Sequence, residues 1–197
     1  MGDTRLKGWY RRGDQHPPHF DAGEIAQFVT FRLADSLPAE RLQVWKAELD
    51  SGTLKPDAYC ERIESWLDAG RGECWLADPQ VGTIVQGALL HFDGRRYDLH
   101  GWVIMPNHIH VLVTPRDSFS LPALLHSWKS FTASTANKSL GRRGAFWQDD
   151  YFDRYVRSET DFARDMDYIA ENPVRAGLCR TSADWKWSHA FRGPTRF

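Results

Sequence analysis

The chain has 197 residues, of which 42% are hydrophobic and 26% charged, and its formal net charge is -1; these values predict one substantial domain that is globular and soluble. No apolar run approaches the roughly 20 residues of a membrane span, and the N-terminal sequence lacks the apolar segment of a secretory signal. The three cysteines form no CxxC pair, which argues against a zinc knuckle or a disulfide scaffold and predicts a cytoplasmic location.

The first segment, residues 1–24, is predicted to be an irregular basic N-terminal arm, because Pro17 and Pro18 block regular structure. Residues 25–197 are predicted to form a single domain, in which 51–80 is an acidic helical insertion. Packing, a dimer contact and a regulatory flap are three alternative roles for that insertion.

Hydrophobic periodicity and turn residues divide the domain into strands and helices. In chain order these are a strand at 25–33, helices at 38–52, 56–69 and 79–92, strands at 95–106 and 108–115, a helix at 121–140, a strand at 151–157 and a helix at 158–172. Ser158 is the expected N-cap of the last helix, and Pro173 is expected to end it. This order predicts an α+β fold, a ferredoxin-like antiparallel sheet with helices on one face.

The sequence HIHVLVTP at 108–115 begins with two histidines two positions apart. Side chains alternate along a strand, so His108 and His110 are expected on one face, and Ile109 and Val111 on the other, core-facing one. The histidine face is expected to be the uncovered side of the sheet. Two neutral imidazoles at this spacing can converge on one divalent ion, although a bare HxH is more often a pair of partly exposed strand histidines.

The last predicted helix places one tyrosine apart from its apolar side. At roughly 100° per residue, Phe162, Met166 and Ile169 cluster together, and Tyr168 points almost opposite to them. Asn172 lies one turn further along the same polar side. An exposed helical tyrosine is by itself ordinary surface decoration.

Four segments in this order, WVIMPNHIHVLV, SWKSFTA, FWQDDYFDRYVR and MDYIAENPVRAGL, resemble the REP-associated tyrosine transposases. These are relatives of the insertion-sequence transposases of the single-tyrosine HUH type, in which HUH denotes histidine, hydrophobic residue, histidine. The resemblance covers roughly residues 25–190 and implies an α+β fold of the HUH endonuclease type. It also implies a divalent metal held by His108, His110 and Asn172, with Tyr168 as the nucleophile that attacks single-stranded DNA.

The implied reaction is metal-dependent cleavage and strand transfer on palindromic hairpin DNA, in DNA transposition or REP-element mobilisation. Its products would be a covalent 5′-phosphotyrosine and a free 3′-hydroxyl. Mg²⁺ or Mn²⁺ suits a mixed imidazole and oxygen site that must accept phosphate. Tyr151 and Tyr155 are rival nucleophiles, but both fall in the predicted strand at 151–157.

The expected DNA partner is single-stranded or a hairpin, because an open sheet face with one tyrosine cannot cut both strands of a duplex at once. Residues 118–148 contain no carboxylate, which suits phosphate contact but also an ordinary solvated face. Trp147 is a candidate for base stacking, with a core tryptophan as the alternative. The basic candidates for phosphate contact are Lys129, Lys138, Arg142, Arg143, Arg154 and Arg157.

Three functions are compatible with these features. The first is a site-specific DNA strand transferase that uses Tyr168, the second a hairpin-binding protein of the same ancestry that does not cut, and the third a metal-dependent phosphohydrolase that uses water. The intact HIH motif, Tyr168 and Asn172 favour the first over the second. The lack of further Asp or His clusters near residue 108 argues against the third. A monomer and a homodimer are both compatible with the sequence.

Overall fold

The computed structural model describes residues 8–10, 19–21, 23–116 and 118–192. In chain order its strands are β1 (Gly8–Tyr10), β2 (His19–Asp21), β3 (Gln27–Arg32), β4 (Tyr97–Ile104), β5 (His108–Pro115) and β6 (Phe152–Tyr155). Its helices are α1 (Ala39–Asp50), α2 (Pro56–Asp68), α3 (Pro79–His91), α4 (Leu121–Ser139) and α5 (Glu159–Arg175). The strands and helices predicted between residues 25 and 172 are all present, with small differences at their ends.

The main sheet is antiparallel, with the strand order β4-β5-β3-β6. Strand β3 lies in its interior, and all six of its residues are buried. Strands β4 and β5 form the predicted hairpin: Met105 N–H donates to the His108 carbonyl at 2.9 Å, so only Pro106 and Asn107 form the loop. The register places Thr30 and Val103 on either side of His110.

Helices α3 and α4 cover the face of the sheet that carries the odd-numbered residues of β5. The main core forms between these helices and the sheet. Its central members are Val29, Phe31, Val85, Leu89, Ile109, Val111, Leu125 and Trp128. The predicted α+β class, with an antiparallel sheet and a helical layer, is confirmed.

Helix α5 packs on the opposite face, where Ile169 forms a second cluster with Phe28, Val103 and Leu112. The expectation that this face is uncovered is therefore wrong. Glycine at position 101 of β4 permits the close approach, since a Cβ there would lie 2.7 Å from Sδ of Met166 on α5. The helix that carries Tyr168 thus docks on the histidine strand of its own chain.

Helix α5 continues through Pro173 to Arg175, so the prediction that it ends at the proline is wrong. Proline lacks the N–H that would bond to the carbonyl four residues earlier. Both Asn172 and Pro173 are buried, however, and their packing outweighs the lost bond. The last turn closes with Ala176 N–H donating to the Asn172 carbonyl at 3.0 Å and Leu178 N–H donating to the Pro173 carbonyl at 2.9 Å.

Two further segments complete the fold. Within residues 1–24, predicted as irregular, β1 and β2 pair in antiparallel fashion, which corrects the prediction for these two short stretches. Helices α1 and α2 form a separate small core around Trp45, Tyr59, Ile63 and Leu67. Among the described residues, no helix is both long enough and apolar enough to cross a bilayer.

The C-terminal segment is fixed to the edge strand β4, and one glycine permits this. Ile104 N–H donates to the Trp187 carbonyl at 2.8 Å, and the Trp187 indole lies against Gly82 of α3. A Cβ at position 82 would lie 2.7 Å from Cε2 of that ring. A packed indole ring cannot move aside as easily as the end of a flexible side chain.

We expect Gly82→Ala to lower the free energy of unfolding by about 1–3 kcal/mol, because it overpacks this contact. Gly87→Ala in the same helix is the control, since no described atom lies within 4 Å of the Cβ it would add. That change should raise stability by about 0.5–1 kcal/mol, because alanine favours helix. Urea denaturation of both variants measures the difference, and equal effects would contradict the packing argument.

Candidate active site

The two histidines of β5 meet at one point beneath α5. Both side chains are fully buried, at 0% exposure, and Nε2 of His108 lies 3.0 Å from Nε2 of His110. Strand alternation therefore places both imidazoles on one face as predicted. The structure shows in addition that the two Nε2 atoms converge.

Asn107 fixes the tautomer of His108. The Asn107 Nδ2 group donates to the carbonyls of Leu67, at 3.0 Å, and Arg71, at 2.8 Å. Its Oδ1 is therefore the atom that faces Nδ1 of His108, at 2.7 Å. Because Oδ1 can only accept, Nδ1 of His108 carries the proton and Nε2 presents a lone pair.

His110 has a partner that accepts either tautomer. Its Nδ1 lies 2.7 Å from the Thr30 hydroxyl group, which can donate or accept. Without a cation, His110 can donate from Nε2 to His108. With its proton on Nδ1 instead, both Nε2 lone pairs would face one cation. The pair therefore fits a divalent ion without gaining or losing a proton.

Burial keeps both imidazoles neutral. Desolvation, followed by the positive charge of Arg32, lowers the pKa of His108 to about 3. Desolvation is also the main reason that the pKa of His110 lies well below its usual value, with smaller effects of His108, Arg154 and Arg175. Neutral imidazole is the form that binds metal.

Tyr168 lies at the edge of the buried side of α5, next to the histidines. Its ring centroid is 5.3 Å from that of His110 and 5.7 Å from that of Phe28, edge-on in both cases. The side chain is half-buried, and its hydroxyl oxygen is buried without a hydrogen bond of ordinary geometry to the described residues. The expectation of an exposed tyrosine opposite the packed side of the helix is wrong.

The reason is that α5 packs on a sheet face that carries the polar histidines next to an apolar cluster. Asn172, predicted on the polar side of the helix, is fully buried, and so is Asp165. Asp165 accepts a hydrogen bond from Nη1 of Arg154 at 2.7 Å. Apolar periodicity finds the buried side of a helix only where the surface beneath it is apolar.

Helix α2 adds two carboxylates that the sequence analysis did not single out. Oδ1 of Asp68 lies 3.6 Å from Nε2 of His108, and because His108 is neutral this contact is not an ion pair. Glu64 lies beside the Tyr168 hydroxyl. The i, i+4 spacing of the two residues on a helix was the one signal of a shared site in the sequence.

These carboxylates and the tyrosine influence one another. Burial raises the pKa of Asp68 to about 6, with Arg175 acting in the opposite direction. Burial also raises the pKa of Glu64. The pKa of the Tyr168 phenol is raised mainly by burial and further by the charges of Glu64 and Asp68. The tyrosine is therefore protonated in the protein as it stands.

A divalent cation fits the chemistry of this site. Oδ1 of Asp68 and both amide atoms of Asn172 are buried without a hydrogen bond of ordinary geometry among the described residues, although the two side chains interact with each other. Two imidazole Nε2 atoms converge next to Asp68. Within the described part of the chain, no group of three or more His, Cys, Asp or Glu side chains forms a complete metal site. A complete metal site therefore needs a further ligand, supplied by the Asn172 amide or by a movement of Asp68 towards the histidines.

The predicted DNA-contact residues divide into two groups. Lys129 donates to the Asp149 carbonyl at 2.7 Å, and Arg142 donates to Oδ1 of Asn137 at 2.8 Å, which gives both side chains a structural role. Lys138, Arg143 and Arg157 are exposed, and their contact with DNA stays a prediction. Arg154 is partly exposed but bound to Asp165.

Arg175 is a basic residue at the site that the sequence analysis missed. Its guanidinium carbon lies 4.9 Å from the centroid of the Tyr168 ring.

Trp147 belongs to the main core. It is 7% exposed, its Nε1–H donates to the Thr132 hydroxyl at 2.9 Å, and its ring lies 5.0 Å from that of Phe31. This position does not fit base stacking, so the core tryptophan is the correct alternative. Tyr151 is buried in the same core at 2% exposure, which leaves Tyr155 as the rival to Tyr168.

Part of this chain matches a known protein family. Residues 81–172 match the family described as "Transposase IS200 like". The matched segment contains both histidines, Tyr168 and Asn172, and it does not contain α2.

Two individual relatives that this chain resembles are described as REP-associated tyrosine transposases. One from Escherichia coli (strain K12) is 29% identical over 109 residues, which are 52% of this chain and 59% of the relative. A Haemophilus influenzae protein, provisionally described in the same words, is 26% identical over 99 residues, 45% of this chain and 56% of that protein. The matches thus span less than two thirds of either relative.

The fold has a solved counterpart. The structure of a REP-associated tyrosine transposase bound to a REP hairpin superposes with a TM-score of 0.58, covering 91% of this chain and 80% of that one at 18% identity. The resemblance indicated by the four sequence segments is confirmed.

Proposed function

We propose that this protein is a metal-dependent single-stranded DNA endonuclease and strand transferase that acts on palindromic hairpin DNA through Tyr168. The observation that carries the proposal is the edge-on packing of the phenol against His110, whose Nε2 faces that of His108. The phenol ring thus lies next to a pair of neutral imidazoles that could hold a metal ion, the arrangement that metal-assisted phosphoryl transfer requires. The related fold bound to a REP hairpin supports hairpin DNA as the substrate.

In the proposed reaction, Oη of Tyr168 attacks the scissile phosphorus, a new O–P bond forms, and the bond from phosphorus to the 3′ oxygen breaks. Glu64, which lies beside the hydroxyl, is placed to take its proton, and the departing oxygen takes up a proton to become a 3′-hydroxyl. The 5′-phosphotyrosine ester conserves the energy of the phosphodiester. A 3′-hydroxyl can therefore reverse the step and join strands without ATP.

The high pKa of the phenol is the main obstacle to this reaction. At a pKa near 10, about one tyrosine in a thousand is ionised at pH 7, a deficit of about 4 kcal/mol. Burial beside two carboxylates enlarges that deficit for Tyr168. When bound by His108, His110 and Asn172, Mg²⁺ or Mn²⁺ would polarise the phosphate and contribute several kcal/mol. Arg175, above the phenol ring, is placed to stabilise the negative charge that develops.

One observation favours a second function, a hairpin-binding protein that does not cut. The Tyr168 hydroxyl is buried, so DNA reaches it only if the Glu64 side chain or α2 moves. A protein in which neither moves would hold a hairpin with its nucleophile out of reach.

The test uses the parent protein and a labelled hairpin oligonucleotide from the palindromic repeats of its own genome. With Mn²⁺ we expect a protein-linked DNA band on a denaturing gel. With EDTA the band should be absent, because the phosphate is no longer polarised. The same sequence as a fully paired duplex is the control and should remain uncut.

Two outcomes would contradict the proposal. A native gel shift of the hairpin without cutting, at any tested concentration of Mn²⁺ or Mg²⁺, would establish the binding protein. Cutting without a protein-linked band would show that water is the nucleophile and would establish the phosphohydrolase.

A further inference from the structure

Asp68 is held against the histidine pair by the residue that also orients His108. It is the last residue of α2, and the neighbouring carbonyl of Leu67 accepts a hydrogen bond from Nδ2 of Asn107. Asn107 also bonds to Nδ1 of His108. The end of α2 and the imidazole are thus positioned together, with Oδ1 of Asp68 3.6 Å from Nε2 of His108.

The polar atoms at this point are incompletely hydrogen-bonded. Asp68 and Asn172 interact with each other, which lowers the pKa of Asp68. Oδ1 of Asp68 and both amide atoms of Asn172, a side chain at 0% exposure, are nevertheless buried without a hydrogen bond of ordinary geometry to any described residue. Leaving a buried polar group unpaired costs about 1–3 kcal/mol. Such groups in a native fold therefore indicate a partner that the polypeptide itself does not supply.

The spacing of the two imidazole nitrogens matches that between neighbouring ligands of a small divalent ion. Two ligands at right angles on an ion with bonds of about 2.1 Å lie about 3.0 Å apart. The two Nε2 atoms are 3.0 Å apart, and Oδ1 of Asp68, which lies 3.6 Å from Nε2 of His108, must move closer to join them. Anionic oxygen is also the ligand that Mg²⁺ and Mn²⁺ prefer, whereas two neutral imidazoles alone bind these ions weakly.

We propose that Asp68 supplies a carboxylate ligand to the divalent cation held by His108, His110 and Asn172. This inference rests on the proposed function, because it presupposes metal at the histidine pair. Asp68 lies outside the segment that matches the transposase family, 81–172, so the ligand comes from the acidic insertion at 51–80. The insertion is then part of the active centre, and the ion ties α2 to β5 at the point where Glu64 faces Tyr168.

The experiment measures Mn²⁺ binding without DNA. The parent, Asp68→Asn and the control Glu61→Gln, an exposed carboxylate on the same helix, are titrated with Mn²⁺ by calorimetry, and their Tm values are measured with and without the ion. Asp68→Asn should weaken Mn²⁺ binding at least about tenfold. Its Tm without metal should equal or exceed that of the parent, because a buried carboxylate has been neutralised, while the rise in Tm on adding Mn²⁺ should be lost.

The possible outcomes separate this inference from the proposed function. Parent-like Mn²⁺ affinity in Asp68→Asn overturns the role of Asp68 and leaves metal at the histidines intact. Absence of Mn²⁺ binding by the folded parent overturns both. If Asp68→Asn fails to fold, pulsed EPR of the Mn²⁺-loaded parent, with isotope-labelled aspartate carboxylates, tests whether a carboxylate binds the ion. Direct coupling from a carboxylate carbon supports the ligand, and its absence overturns it.

Discussion

Tyr168→Phe should abolish the protein-linked DNA product while leaving hairpin binding intact. The change removes only the hydroxyl oxygen, so the ring keeps its edge-on contacts with His110 and Phe28. Because that oxygen lies beside Glu64 but makes no hydrogen bond of ordinary geometry to the described residues, its loss should change the free energy of unfolding by no more than about 1 kcal/mol. A denaturing gel of labelled hairpin incubated with Mn²⁺, paired with a native gel shift, measures both properties.

Tyr155→Phe is the matched control for this variant. Tyr155 is the last residue of β6 and is half-buried, and its variant should form the covalent product as the parent does. A product that persists in Tyr168→Phe and disappears in Tyr155→Phe would identify Tyr155 as the nucleophile. Loss of the native gel shift in Tyr168→Phe would mean that the hydroxyl recognises DNA before it reacts.

Replacing the histidine pair should reduce cleavage as strongly as Tyr168→Phe does. Unlike Tyr168→Phe, it should also destabilise the fold. Both rings are fully buried, so His108→Ala combined with His110→Ala should abolish cleavage and also lower the free energy of unfolding by about 2–5 kcal/mol. His110→Gln is the sharper test, because glutamine retains a polar group of similar length that can bond to Thr30. We expect it to reduce single-turnover cleavage at least about 100-fold, since the cation loses an imidazole ligand.

His100→Gln controls for the loss of a strand histidine outside the site. His100 lies in β4, where its Nε2 is 2.8 Å from the Thr114 hydroxyl, and its replacement should leave cleavage at the parent rate. Circular dichroism of each variant establishes the folded fraction before rates are compared. Parent-like cleavage by His110→Gln in the presence of EDTA would remove the metal from the reaction.

The sequence by itself determined the elements of this fold and the side of β5 on which its histidines lie. Strand alternation is a local, two-residue rule that tertiary contacts do not alter. His108 and His110 therefore had to lie on the same face of the strand, independently of which element covers that face. The Pro106-Asn107 turn and the capped start of α5 are likewise encoded over a few residues. Tyr168 became the candidate nucleophile through the resemblance to the REP-associated tyrosine transposases, and not through these local signals.

Only the tertiary structure decided what surrounds those residues. The packed side of α5 follows from the partly polar, partly apolar sheet face beneath it. Asp165 and Asn172 are buried there, and the helix continues through Pro173. The position of α2 follows from the hydrogen bonds between Asn107 and the end of that helix.

The residues that sequence reasoning missed share one property. Glu64 and Asp68 precede His108 by about forty residues and lie on α2, whose apolar side chains pack in a separate small core. Neither periodicity nor motif spacing therefore connects them to the histidines. The role of Trp147, in the core or in base stacking, was ambiguous for a related reason: a single tryptophan in a sequence does not indicate which residues surround it in the fold. Burial of a polar or aromatic side chain depends on which distant surface covers it, and that is a property of the folded chain.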